Sequence, residues 1–349
     1  MNLAREPIGA SIEYPFGTAP SPGAAMNVAP GVLWLRMPLP FTLDHINLWA
    51  IEDGVGWTLV DCGIADDATR SLWSGIFDAT LGGRPLCRLV VTHCHPDHIG
   101  LAHWLCGRFD LQPWMTESEF LHAHAVYHRV AGTDFSLLLA WCRENGLQDE
   151  RLARFGSGED HYRKGVPDLP SAFRRIEDGE ALAIGGRAWR VIVGHGHSPE
   201  HAALYCEELG VVIAGDMLLP RISTNVSVWP AQPDGDPLGQ FLRSLAVFEA
   251  LPDDTLVLPS HGLPFRGAAR RVAELRAHHR SRLDKLEALC AAPRTAAEVL
   301  PELFPRKLDA HHVVFALGET IAHLNHLMHR GVLERVSAGA SRRYLRRAI

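Results

Sequence analysis

A chain of 349 residues, 47% hydrophobic and 21% charged, has the composition of a soluble globular protein and can bury a large core with a smaller unit beside it. Its net charge of −6 is uneven: residues 264–349 carry 16 Lys+Arg against 8 Asp+Glu, and the rest carry 18 against 32. Seven cysteines without paired short spacings argue against a disulfide framework, and neither a secretory apolar stretch nor a run of transmembrane length is present, so a cytoplasmic protein with no membrane partner is expected.

Residues 1–25, rich in Gly, Pro and Ala, read as an N-terminal arm. Strand-like runs follow at "GVLWLRMPL", "HINLWAIED" and "GWTLVDCG", the last two joined as a hairpin over Asn47–Asp61. "DDATRSLWSGIFDATL" has helical spacing, with Asp66 or Asp67 as its cap. "LCRLVVTH" predicts a buried strand and "HIGLAHWLCGRF" a helix behind it. A helical insertion spans about 117–176 and includes "DERLARF". Strands return at "ALAIGG", "AWRVIVGHG", "AALYCEELG" and "VVIAGDM". The predicted organisation is a sheet-rich α/β layered domain over 26–263, then a mostly helical segment over 264–349 that ends in a strand pair.

The densest chemistry lies in "RLVVTHCHPDHIG", where three histidines and an aspartate occupy six positions. Alternation in an extended chain puts His93 and His95 on one side, and Pro96 favours extended geometry at His95. Asp97 and His98 follow where the chain turns and are free to address a second ion. Three later strand ends add donors: His195, His197 and His201 in "GHGHSPEH", Asp216 after "VVIAG", and His261 after "TLVLPS". Loops at strand ends are where layered α/β proteins place chemistry.

The ordered set His93-x-His95-x-Asp97-His98, His197, Asp216 and His261, with Asp61 of "TLVDCG" ahead of it, resembles the metallo-β-lactamase superfamily over roughly residues 31–263. The resemblance implies an αββα sandwich with two divalent metals at the edge of its sheets. By it, His93, His95 and His197 hold one ion, Asp97, His98 and His261 hold the other, and Asp216 bridges them. Imidazole and carboxylate donors suit Zn2+ best, with Mn2+ or Fe2+ as alternatives. Asp61 and His201 are expected behind the ligands. The expected reaction is hydrolysis by a metal-bound hydroxide, with Asp97 also orienting the nucleophile and passing a proton to the leaving group.

Departures from the superfamily's branches narrow the substrate. The diiron oxygen-reducing branch carries glutamate where this chain has His95, and true β-lactamases carry cysteine or serine where it has Asp216. The RNA-processing branch with an inserted domain needs far more than the 44 residues between Asp216 and His261. Lactonases usually place tyrosine just after the bridging aspartate, whereas Met217 and Leu218 follow here. What remains is similar to hydroxyacylglutathione hydrolases, with a winged-helix-like C-terminal domain marked by a Thr295-x-x-Glu298 capping box and a helix stopped at Gly331. A small acyl thioester or ester is therefore the expected substrate. Single-stranded RNA is the alternative, followed by a lactone or iron-dependent sulfur oxidation. The tail is also a plausible homodimer element.

Other residues admit blander readings. Arg221, Thr224 and Asn225 follow the bridging aspartate and are expected on the substrate rim or in a well-bonded loop. His122, His124 and His128 read as a solvated or cavity-facing helix, and His323, His326 and His329 as a solvated or interface stripe. Cys94 reads as an inert buried thiol. Phe120, Tyr127, Phe135 and Trp141 suit either an apolar substrate wall or packing.

Overall fold

The computed structural model describes residues 12–130, 132–148, 161–338 and 341–348. The helix expected at "DERLARF" lies outside the described residues. A first sheet has seven strands in chain order: β1 (Ala25–Ala29), β2 (Val32–Pro38), β3 (His45–Asp53), β4 (Gly56–Val60), β5 (Leu86–Val90), β6 (Pro113–Met115) and β7 (Arg174–Arg175). It is antiparallel from β1 to β4 and parallel from β4 to β7. The second sheet has the order β12-β11-β10-β9-β8, from β8 (Ala181–Ile184), β9 (Arg187–Gly194), β10 (His201–Cys206), β11 (Val211–Gly215) and β12 (Leu256–Pro259). Only β11 and β12 pair in parallel there.

The two sheets face each other across an apolar layer containing Trp34, Trp49, Val90, Val191, Leu204 and Ile213. Helices α1 (Asp67–Gly75), α2 (Pro96–Ile99), α3 (Ala102–Phe109), α4 (Glu117–Tyr127), α5 (Phe135–Glu144) and α6 (His161–Gly165) fall between strands of the first half. Asp66, not Asp67, caps α1, its side chain accepting from Thr69 N at 2.6 Å. The helix expected behind the histidine loop is two, divided where Leu101 leaves the helical region (φ −98°, ψ 10°), and Gly100 before it sits against backbone oxygens of Pro96, Gly165 and Gly63. A Cβ there would lie 2.4 Å from the first of them.

Helices α7 (Pro237–Glu249) and α8 (Ala268–Leu289) cover the second sheet, and α9 (Ala296–Leu303) and α10 (Ala310–His329) extend the same apolar cluster. The fold is thus an αββα sandwich whose C-terminal helices share a core with it. Thr295 and Glu298 form the expected capping box, and a two-stranded sheet, β13 (Leu333–Ala338) with β14 (Ser341–Arg346), follows Gly331. Residues 12–24, expected as part of an arm, lie on the body: Ile12 is buried, Glu13 bridges Arg266, and Phe16 meets Trp34 edge-on. Among the described residues, no helix is long and apolar enough to cross a membrane.

The stripe His323, His326, His329 runs from fully buried His323 to exposed His329. It is an interface: His323 is fully buried against His279 (3.1 Å), His326 bonds Asp236, and His329 bonds the Asp234 carbonyl. Burial, with nearby imidazoles and Arg282, holds His279 well below the ordinary range, and burial brings His323 down to about 3. Unfolded, His323 takes a proton near pH 6.5. The unfolded chain therefore binds more protons between those two values, and stability falls as pH falls through that window. Each such histidine steepens the loss by up to about 1.4 kcal/mol per pH unit. In metal-free protein the urea midpoint should drop between pH 7 and 5, and His323→Gln should flatten that drop. An identical slope in the variant would refute the assignment.

Candidate metal centre

Parallel pairing brings the loops together. β4 and β5 run the same way, so Asp61 and the loop 91–95 emerge at one edge, and β11 and β12 likewise deliver Asp216 and His261 side by side. The turn between β9 and β10 adds His197. His95 is extended (φ −67°, ψ 148°) and caps α2, whose single turn carries Asp97 and His98.

Two donor sets result. His93, His95, His197 and Asp216 form one, and Asp97, His98 and His261 the other; within each, ligand atoms lie within 4.8 Å of one another. In the first, His93 Nε2 stands 2.9 Å from His95 Nδ1 and 3.2 Å from His197 Nε2, which is 3.2 Å from Asp216 Oδ2. In the second, His98 Nε2 and His261 Nε2 stand 3.6 and 3.5 Å from Asp97 Oδ2, and 3.7 and 3.4 Å from Asp216 Oδ1. Donors sharing one zinc at about 2.0–2.1 Å sit roughly 3.3–3.4 Å apart at tetrahedral corners, so both sets have the dimensions of a single-ion cage. The two Asp216 oxygens face one set each. His98 Nε2 and Asp216 Oδ1 are buried without a hydrogen-bond partner, an arrangement a cation between them would relieve.

The ring orientations are set from behind. His98 Nδ1 donates to Asp61 Oδ2 (2.7 Å), His197 Nδ1 to the Asn225 carbonyl (2.8 Å) and His261 Nδ1 to the His45 carbonyl (2.8 Å). Each bond puts the proton on Nδ1 and leaves the Nε2 lone pair pointing into the cluster. His93 Nδ1 lies 3.0 Å from Thr92 Oγ1, which donates to Asp61 Oδ2. Asp61, with a left-handed backbone (φ 63°), also accepts from Thr92 N. His201 lies beneath Asp216, its Nε2 accepting from Asp216 N at 3.1 Å. Gly215 makes room for that ring, since a Cβ there would meet His201 Nε2 at 2.3 Å.

Charge follows the same logic. Burial would raise the Asp216 carboxyl, but His261, His98 and His197 outweigh it and hold it well below the ordinary range. Burial would lower His98, yet with no cation beside it Asp97, Asp61 and Asp216 push it up to about 10, so a cation bound there would displace the proton on Nε2 and leave the one on Nδ1. Burial and neighbouring imidazoles keep His93 and His95 neutral, well below their usual value.

Thr224 is buried, its hydroxyl donating to the Asp216 carbonyl, and Asn225 holds His197; only Arg221 of the three is exposed, its guanidinium 5.6 Å from the Tyr14 ring centroid. Phe120 stacks on Phe173, Tyr127 donates to the Pro167 carbonyl, and Trp141 is buried in the core, so these three pack and leave little to a substrate. His195 bonds the Pro199 carbonyl, and Cys94 is a buried thiol raised well above its ordinary pKa by burial.

The supports that sequence reading missed are His45, Asn47 and Glu119. Asn47 Nδ2 donates to the carbonyls of Pro259 and Gly262, both at 2.9 Å, and His45 Nε2 accepts from Gly262 N. A polar side chain between Ile46 and Leu48 was the one available signal. Glu119 is fully buried and accepts from Cys94 N (2.9 Å) and Glu200 N (2.7 Å), clamping the two histidine loops together. Glu119→Ala leaves both donors unpaired, which costs about 2–6 kcal/mol at 1–3 kcal/mol per group. Metal affinity should fall roughly 10–100-fold. Chemical denaturation and calorimetric metal titration of the variant test both; unchanged values would show the clamp to be dispensable.

The Metallo-beta-lactamase superfamily matches residues 41–261, and the family described as Metallo-beta-lactamase-like, C-terminal domain matches 283–346. A crystal structure of a beta-lactamase domain protein from Burkholderia ambifaria is 48% identical, covers 96% of this chain and 98% of its own, and superposes with a TM-score of 0.90. A metallo-beta-lactamase family protein from Thermus thermophilus is 32% identical over 92% of this chain and 100% of its own, with a TM-score of 0.75. The Probable metallo-hydrolase YqjP of Bacillus subtilis is 26% identical over 306 residues, 84% of this chain and 91% of its own.

Proposed function

Because the chain belongs to the metallo-beta-lactamase superfamily and carries a buried His/Asp cluster able to hold divalent metal, we propose that it is a dinuclear metal-dependent hydrolase of a small acyl thioester or ester. In this reading His93, His95 and His197 would hold one ion, Asp97, His98 and His261 the other, and Asp216 would be shared between them; zinc fits the all-imidazole-and-carboxylate set best. Two such ions supply Lewis acidity and lower the pKa of water towards neutrality. The observation that carries the reading is the spacing of 3.4–3.7 Å around Asp97, His98, His261 and Asp216 Oδ1.

The protein's own groups do the rest. Asp97 is the most solvent-accessible donor of the second set, its side chain 19% exposed where those of His98 and His261 are 0% and 3%. Attack therefore comes from its side, where Asp97 Oδ2 orients a water proton and returns it to the departing thiolate or alkoxide. His261 and His98 hold Asp97 and Asp216 in place, and the peptide carbonyls of His45 and Asn225 keep the rings from rotating.

The alternative substrate, single-stranded RNA, would need free cations in the winged-helix-like C-terminal segment. Three of that segment's cations, Arg335, Arg342 and Arg343, are paired with Asp234, Glu144 and Glu298, which leaves fewer for a phosphate backbone. Thiol release from acyl-glutathione and acyl-coenzyme A esters by metal-loaded protein is expected, falling about 100-fold or more in Asp97→Ala. No release across the panel, with metal bound, would overturn the thioester reading and bring RNA forward.

A further inference from the structure

The peptide that orients His197 is not held by the sandwich alone. His197 Nδ1 donates to the Asn225 carbonyl, and Asn225 Nδ2 in turn donates to Glu319 Oε2 at 3.4 Å. Glu319 is buried on α10 and ion-paired with Arg282 of α8. Ser227 Oγ donates to Asn225 Oδ1 at 2.8 Å, and Val228 N to the Gly318 carbonyl at 3.1 Å. Gly318 lets the helix approach this closely: a Cβ there would stand 3.0 Å from both Ser227 Cβ and the Val228 carbonyl oxygen. Helix α10 thus grips residues 225–228 by one carboxylate, one carbonyl and one glycine.

We infer that Glu319 is a positioning residue for the first donor set, so that the C-terminal helices tune the affinity of one ion and not the other. The inference rests on the metal-centre reading above. The asymmetry follows from the wiring. His197 belongs to the His93 set alone, whereas Asp97, His98 and His261 are held by α2, Asp61 and His45, none of which involves residues 225–228. Loosening the Asn225 peptide frees the His197 ring and leaves the second set intact. A buried carboxylate kept at the cost of desolvation, with Arg282 to compensate it, has a function here beyond joining two helices.

The test is Co2+ titration against a competing chelator, with the two binding steps assigned by His197→Ala and His261→Ala. Glu319→Ala should weaken the His197 step about tenfold or more and leave the His261 step unchanged. Glu319→Gln, which retains an acceptor for Asn225, should recover most of that loss. Gly318→Ala guards against a variant that misfolds, since alanine favours a helix and keeps the Glu319–Arg282 pair; by crowding Ser227 it should weaken the same step. Equal weakening of both steps, or unaltered steps with only a lower melting temperature of the metal-free protein, would make Glu319 a structural residue and overturn the inference. Failure of the parent protein to bind Co2+ at all would overturn the metal-centre reading itself.

Discussion

Asp216→Ala is expected to cost the protein both ions together and to lower kcat/KM by about a thousandfold or more, roughly 4 kcal/mol of transition-state stabilisation. No other donor has this reach, because Asp216 alone has an oxygen facing each set. Its removal also leaves His98 Nε2 facing only Asp97 and takes the opposite charge from His197 and His261. Asp216→Asn should fail similarly in turnover while keeping more of the fold, since shape is preserved and only the charge between the cages is lost. Metal content by mass spectrometry, read beside turnover, checks this. A variant that keeps two ions per chain would remove Asp216 from its bridging place.

The second large effect is on stability. Five imidazoles and two carboxylates converge in a region where His93 and His98 are fully buried, and such a cluster without a cation carries repulsion and unpaired lone pairs. Binding to the folded state alone adds about 4.1 kcal/mol per site when free metal exceeds Kd a thousandfold. Two filled sites should therefore add about 8 kcal/mol, and chelation should lower the melting temperature by many degrees. Metal-free and loaded protein melting together would show that the donors do not form a binding site.

Much of this centre was legible because its donors sit at strand ends. Apolar runs such as "VVIAG" and "TLVLP" declare buried strands, and a carboxylate or imidazole directly after one has few other uses. Pro96 announced the extended His95, and the Thr295–Glu298 pair its helix start. The supports were not legible, because each acts through a neighbour remote in sequence. Glu119 reads as one acid among several in "ESEF", and nothing there says it reaches Cys94 and Glu200. Glu319 lies in a helix whose stripe reads as surface until Arg282 and Asn225 are seen beside it. Phe120 and Trp141 show the converse: aromatic residues near a site by sequence are spent on packing once neighbours such as Phe173 are in place.

Asn47 ties β3 to the turn after β12 across 212 and 215 positions of chain, and this bears on how the protein is made. Donor His98 leaves the ribosome 163 residues before His261, an interval of roughly 8–33 s at about 5–20 residues per second. During it the nascent chain carries a histidine-rich loop whose cage has no far wall, because β12 and its hold on His45 do not yet exist. The second donor set is therefore the last to close: it is completed only when β12 docks beside β11 and brings His261 to Asp97 and His98, 45 residues of chain after Asp216 has completed the first.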